Sequence, residues 1–119
     1  MISFVSQGKL RDEEWSMLVR DIQGKPITRY LNLSIGSVEV NSLQRKAMID
    51  VLNARKISVI VVSDDRIVRG LVTAAHWLGV DVQAFGWEDL NKAVEKLRIP
   101  SPVIPRVLEL VQQLKLEAA

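Results

Sequence analysis

The chain has 119 residues, 48% of them hydrophobic, and no cysteine. That is enough for one domain with a real core, and it excludes disulfides, thiolate metal sites and cysteine nucleophiles. Sixteen basic residues against fourteen acidic ones leave a net charge of +2, without a dense cationic tract, so nucleic acid is not an expected partner. No apolar run approaches the roughly 20 residues needed to cross a bilayer. The amino terminus also lacks the pattern of a signal peptide, so the expectation is a cytoplasmic protein without membrane insertion.

Ile2 to Ser6 is short and apolar and reads as a first strand ending before Gly8. Asp12-Glu13-Glu14 places acidic groups where a helix amino terminus favours them, and Trp15, Leu18, Val19 and Ile22 then recur at helical spacing. Gly24 and Pro26 stop that helix. Ile27, Arg29, Leu31, Leu33 and Ile35 alternate with Thr28, Tyr30, Asn32 and Ser34, a period of two that predicts a strand with one drier face, near a sheet edge.

Gly36-Ser37 turns the chain. Asn41 followed by Gln44 forms a capping box ahead of Leu43, Ala47, Met48, Val51 and Leu52. This second helix ends near Arg55-Lys56. Ile57 to Val62 is a continuous β-branched run, the pattern of a strand covered on both faces in a parallel sheet. A third helix spans about Asp65 to Leu78, with Ile67, Leu71, Ala74 and Leu78 expected on its buried face. Gly70 inside it costs about 1 kcal/mol relative to alanine, which suggests close packing at that turn. Gly79 closes the helix, Val80 to Phe85 is a fourth strand, and Gly86 turns into a fourth helix from Trp87.

Ile99-Pro100-Ser101-Pro102 cannot continue that helix. Residues 1–99 therefore form the expected α/β domain, and residues 100–119 a short proline-containing linker with a last amphipathic helix that packs on the domain or on a partner. The alternation gives a β-α-β-α-β-α-β-α order plus that helix. It predicts a small doubly wound, mostly parallel four-stranded sheet between helix layers, with spatial order 2-1-3-4.

Ser63-Asp64-Asp65 follows the central strand, where the next helix exposes unpaired amides. Ser63 or Asp64 is expected as its cap, and Ser63 in that position could carry a phosphate beside Arg66 and Arg69. Arg66, Arg69, Thr73 and His76 share one polar stripe of the third helix, so Asp64, Asp65, Arg66, Arg69, Thr73 and His76 make up a candidate partner-binding surface. Paired aspartates could instead hold a metal in a phosphate-directed enzyme. His76 is the sole histidine, no catalytic constellation accompanies it, and neither a GxGxxG nor a Walker sequence is present. No cofactor, metal or enzymatic activity is expected. Trp15, Trp77 and Trp87 suit core or rim packing. On the last helix Ile104, Val107, Val111 and Leu114 make one stripe with Leu110 partly outside it. Val107, Leu110, Val111 and Leu114 are thus candidates for pairing with a second copy of the chain or another partner.

From Asn41 to Ile99 the chain resembles the STAS family, shared by sulfate transporters and anti-sigma factor antagonists, with its SpoIIAA-like relatives. The similarity rests on Val51-Leu52-Asn53-Ala54-Arg55 before a Val/Ile strand, on Ser63-Asp64-Asp65 opening a helix, and on Val80-Asp81-Val82-Gln83-Ala84-Phe85 leading into Leu90-Asn91-Lys92-Ala93-Val94. The resemblance implies a STAS-like α/β sandwich and a regulatory module that binds another protein, with Ser63 at the position such proteins phosphorylate to release their partner.

Overall fold

A computed structural model describes residues 2–5, 8–9, 12–36 and 38–118. In chain order the elements are β1 (Ile2–Val5), β2 (Gly8–Lys9), α1 (Asp12–Gly24), β3 (Arg29–Ser34), β4 (Val38–Glu39), α2 (Ser42–Arg55), β5 (Ser58–Val62), α3 (Arg66–Trp77), β6 (Val82–Phe85), α4 (Leu90–Lys96) and α5 (Ile104–Ala118). Ser6 and Ser37, placed above at a strand end and in a turn, lie outside the described residues.

The main sheet is parallel. Leu31 of β3 pairs with Ile60 of β5, and Ile60 with Gln83 of β6, while β1 runs along the other side of β3 with Ile2 beside Leu31. The spatial order is β1-β3-β5-β6, the order of the sequence itself, and this corrects the expected 2-1-3-4. The separate β2 and β4 form a short parallel pair. Crossovers of one hand that always step the same way must leave their helices on the same face. Accordingly α1, α2 and α3 all cover one side of the sheet, where Ile22, Met48 and Leu52 pack with Tyr30, Val59 and Val61. Among the described residues the helices that cover the opposite side are α4 and α5, whose Val94, Leu97, Val107 and Val111 pack on Leu31, Leu33, Ile60 and Val62. The sheet is thus wound in one direction and roofed on its second face by the last two helices.

This arrangement puts β3 in the interior, not near an edge. Tyr30 and Leu31 are both buried, as are Leu33 and Ser34, because adjacent residues face different helix layers. The alternation of β3 marks two buried faces, one with polar atoms on it. Asn32 Nδ2 donates to the Tyr30 hydroxyl at 3.0 Å on the α1–α3 side.

The second helix starts as its sequence requires. Gln44 N donates to Asn41 Oδ1 at 2.8 Å and Asn41 N donates to Gln44 Oε1 at 3.1 Å, which satisfies two amides that the helix geometry leaves over. Gln44 also ties α1 to α2, donating through Nε2 to Asp12 Oδ1 and accepting at its carbonyl from Trp15 Nε1. At the other end Lys56 closes α2 in the left-handed conformation. Arg55 reaches across to the carbonyls of Ile22, Gln23 and Lys25. It supplies the cation that α1, with no basic residue in its last turn, lacks at its carboxyl end.

Candidate functional site

The chain leaves β5 toward one face of the sheet and β6 toward the other. Adjacent strands whose connections diverge in this way open a crevice at their carboxyl ends. Two turns line it, Val62-Ser63-Asp64 and Phe85-Gly86-Trp87, held together by Ser63 N donating to the Phe85 carbonyl at 2.9 Å.

Most of the polar groups here bind one another, while Asp65 Oδ2 is buried without a hydrogen-bond partner. Ser63 is completely buried, and its Oγ accepts from Asp65 N at 3.1 Å. Asp65 is the helix cap, its Oδ1 accepting from Ile67 N at 3.3 Å, which corrects the assignment of that role to Ser63 or Asp64. Asp64 Oδ1 instead accepts from Trp87 N at 3.1 Å and starts the turn before α4. Arg69 Nε donates to the Ser63 carbonyl at 3.3 Å. Its guanidinium also lies over Gly86, where an added Cβ would sit 2.8 Å from Nη2 and 3.0 Å from Asp64 Oδ1. A side chain at 86 would have to displace these two groups, the nearer of them the tip of a flexible arginine, while φ is ordinary and negative. A kinase could reach the Ser63 hydroxyl only if the turn opened. Both aspartates are spent on backbone amides, and among the described residues no three His, Cys, Asp or Glu side chains gather as metal ligands would.

Next to this turn a depression of about 180 Å³ is bordered by Ser34, Gly36, Asp64, Trp87 and Lys115. Trp87 Nε1 donates to the Ser34 carbonyl at 2.8 Å, and Lys115 Nζ stands 4.7 Å from the centre of its ring. Trp87 thereby fixes the end of β3 against α5, a rim role. Trp15 packs against the α1–α3 core, whereas Trp77 is 81% exposed.

The third helix departs most from expectation. Val68, Val72 and Ala75 turn toward the core, so the packed face is rotated about one residue from the expected Ile67-Leu71-Ala74-Leu78 stripe. Ile67 and Leu78 are 64% and 63% exposed, and no residue of α3 is fully buried. Ile67, Gly70, Ala74 and Trp77 follow one another at i, i+3, i+7 and i+10, which places them on a single outward stripe. Nothing lies within 4 Å of a Cβ built on Gly70, so the expected close packing there is absent. Arg66, Arg69, Thr73 and His76 are exposed beside this stripe; Thr73 donates its hydroxyl to the Arg69 carbonyl, while the Arg69 guanidinium also reaches the Ser63 carbonyl. Of the six residues grouped above as a partner surface, Arg66, Thr73 and His76 lie on the outer face of α3, and Asp64, Asp65 and Arg69 hydrogen-bond within the turn, with Asp64 and Arg69 still exposed.

On α5, Val107 and Val111 lie inside the domain's own core, with Leu108 and Leu114 packed against it and Leu110 half-buried. A second copy could not use Val107 or Val111 without first pulling α5 off the sheet. The apolar surplus that faces outward is Val103 and Leu116. Among the described residues no helix is long and apolar enough to cross a membrane. No family model matches the chain, and no curated protein or solved structure matches it significantly.

Proposed function

We propose that this chain is a non-enzymatic regulatory module that works by docking another protein along the outer stripe of α3, on a STAS-like frame. One observation carries the reading. The element that follows the central strand exposes Ile67, Trp77 and Leu78 around a flat centre made by Gly70 and Ala74. Large apolar groups at both ends of a helix face with small residues between them leave room for a partner helix to approach closely, and a monomeric surface gains nothing from showing them.

Charge narrows the partner. The helix carries Arg66 and Arg69 and no acidic residue, so two copies laid face to face would oppose like charges. An amphipathic helix with acidic flanks on a different protein fits better. The similarity of residues 41–99 to STAS domains supports the regulatory part of the reading. It does not rest on phosphorylation of Ser63, since that hydroxyl is enclosed.

The test is affinity isolation with the wild-type chain and with the double variant Ile67→Asp, Trp77→Ala. Both side chains are exposed, so circular dichroism and melting should be unchanged. A partner retained by the wild type and lost by the variant supports the surface, and equal recovery from both refutes it.

A further inference from the structure

A second feature lies on the same side of the sheet, beneath the helices. Met48 and Leu52 of α2 and Val72 and Ala75 of α3 line a cleft of about 140 Å³, floored by Val59 and Val61 of β5. The two helices lean on different supports, α2 on α1 and α3 on β6, and Asn53 Nδ2 ties α2 to the end of α3, donating to the Leu78 carbonyl at 3.0 Å. The gap between them shows in the burial of α3. Val68, Val72 and Ala75 turn toward the core, yet each is only half-buried and no residue of the helix is fully enclosed.

What can occupy the cleft follows from its walls. The accessible lining is almost wholly apolar, and Arg45, its one charged member, is exposed. On the floor Asn32 Nδ2 and the Tyr30 hydroxyl bond each other at 3.0 Å, and Ser34 Oγ is closed off from the space. A water molecule needs roughly two to four polar partners to stay in such a place, and a charged or multiply polar guest would lose its hydration without recovering it. A void of this size and lining is comparable to an engineered cavity of about 150 Å³ that stays dry and takes up benzene. A helix, about 10 Å across with its side chains, is too thick to enter.

We infer that the cleft binds a neutral, apolar small molecule about the size of one six-membered hydrocarbon ring, held between Met48, Val72 and Ala75 by burial and van der Waals contact. Part of the cleft's boundary is open to solvent, so such a molecule enters without unfolding the chain. Once bound, it gives the half-buried Val72 and Ala75 the neighbours they lack. Val68, Val72 and Ala75 lie across α3 from Ile67 and Trp77, so the inference stands apart from the docking proposal. Ligand binding and partner binding can therefore fail separately.

The experiment is a titration of the intact ¹³C,¹⁵N-labelled chain with benzene and, in parallel, with 1,4-dioxane, a polar ring of similar size, followed by NMR. Benzene should produce saturable shifts at Met48, Leu52, Val72 and Ala75 and nuclear Overhauser contacts to their methyl groups. Its affinity should be about tenfold or more above that of dioxane, whose oxygens lose water without gaining a partner. Ala75→Leu fills the cleft and should abolish the shifts. Absence of saturable shifts, equal affinity for dioxane, contacts confined to Ile67 and Trp77 on the outer stripe, or cleft shifts that persist in an Ala75→Leu chain with wild-type melting would each overturn the assignment. Should Ala75→Leu not fold, the Overhauser contacts of the wild type decide: contacts to Leu52 and Val72 support it and their absence overturns it.

Discussion

Replacing Gly70 by alanine should make this protein more stable, although the position lies in the middle of α3. In a helix interior glycine costs about 1 kcal/mol relative to alanine, because the unfolded chain is freer and no side chain covers the backbone. The gain is realised only where the new Cβ has space, and here nothing comes within 4 Å of it. For a two-state chain of 119 residues, about 1 kcal/mol corresponds to a rise in Tm of about 4 °C. In urea the midpoint should move up by about 0.5 M at constant slope. Calorimetry and urea denaturation of the purified pair measure this directly. An unchanged or lower Tm in a chain with wild-type circular dichroism would refute the reasoning, since it would mean that α3 packs something at Gly70. The same position separates stability from function. Gly70→Gln has the same propensity advantage over glycine within a few tenths of a kcal/mol, yet its long side chain stands in the centre of the outer stripe. It should fold as well as Gly70→Ala and dock its partner less well.

The remaining predictions concern the supports of the fold. Gly86→Ala should lose about 1–2 kcal/mol in urea denaturation, because its methyl group displaces Arg69 and the Asp64 carboxylate that receives the Trp87 amide; an unchanged midpoint would show that both side chains can step aside freely. Arg55→Ala should cost about 1–2 kcal/mol and speed hydrogen exchange in the last turn of α1, whose carbonyls it holds, while exchange in α3 stays as it was. Val111→Ala, which removes two methyl groups at a fully buried site, should cost about 2–3 kcal/mol from lost burial and the cavity left behind. A loss below 0.5 kcal/mol, the size of an ordinary surface change, would mean that α5 is not an integral part of the core.

What was legible in the sequence was local. The capping box at Asn41 and Gln44 is two hydrogen bonds between residues three apart, and both form. The β-branched run of β5 announces burial on both faces, and it lies inside the sheet with β3 on one side and β6 on the other. Strand order was not legible, since nothing in a strand's own residues says which neighbour it will take; that is settled by which helices fit over which face. The same absence misplaced β3, whose Tyr30, Asn32 and Ser34 look like a wet face and in fact lie beneath two helices, Asn32 bonded to Tyr30 and Ser34 buried. On α3 the apolar arc is wide enough for two phases of burial. Packing chose Val68, Val72 and Ala75, leaving Ile67 and Leu78 outside, a choice made by the position of β6.

A sheet laid down in the order of its own synthesis has a consequence for how the molecule is made. Each βα unit joins the edge left by the one before it, so the first helix layer can form while the chain is still emerging, through contacts of short sequence range that favour rapid folding. The second layer cannot. Leu31, Leu33, Ile60 and Val62 wait for Leu90 to Val111, which leave the ribosome after all of them. Until then the nascent protein carries one bare greasy side, the kind of surface that chaperones bind and that associates with other unfinished chains. Premature termination anywhere before α5 should therefore yield aggregates instead of a smaller folded protein.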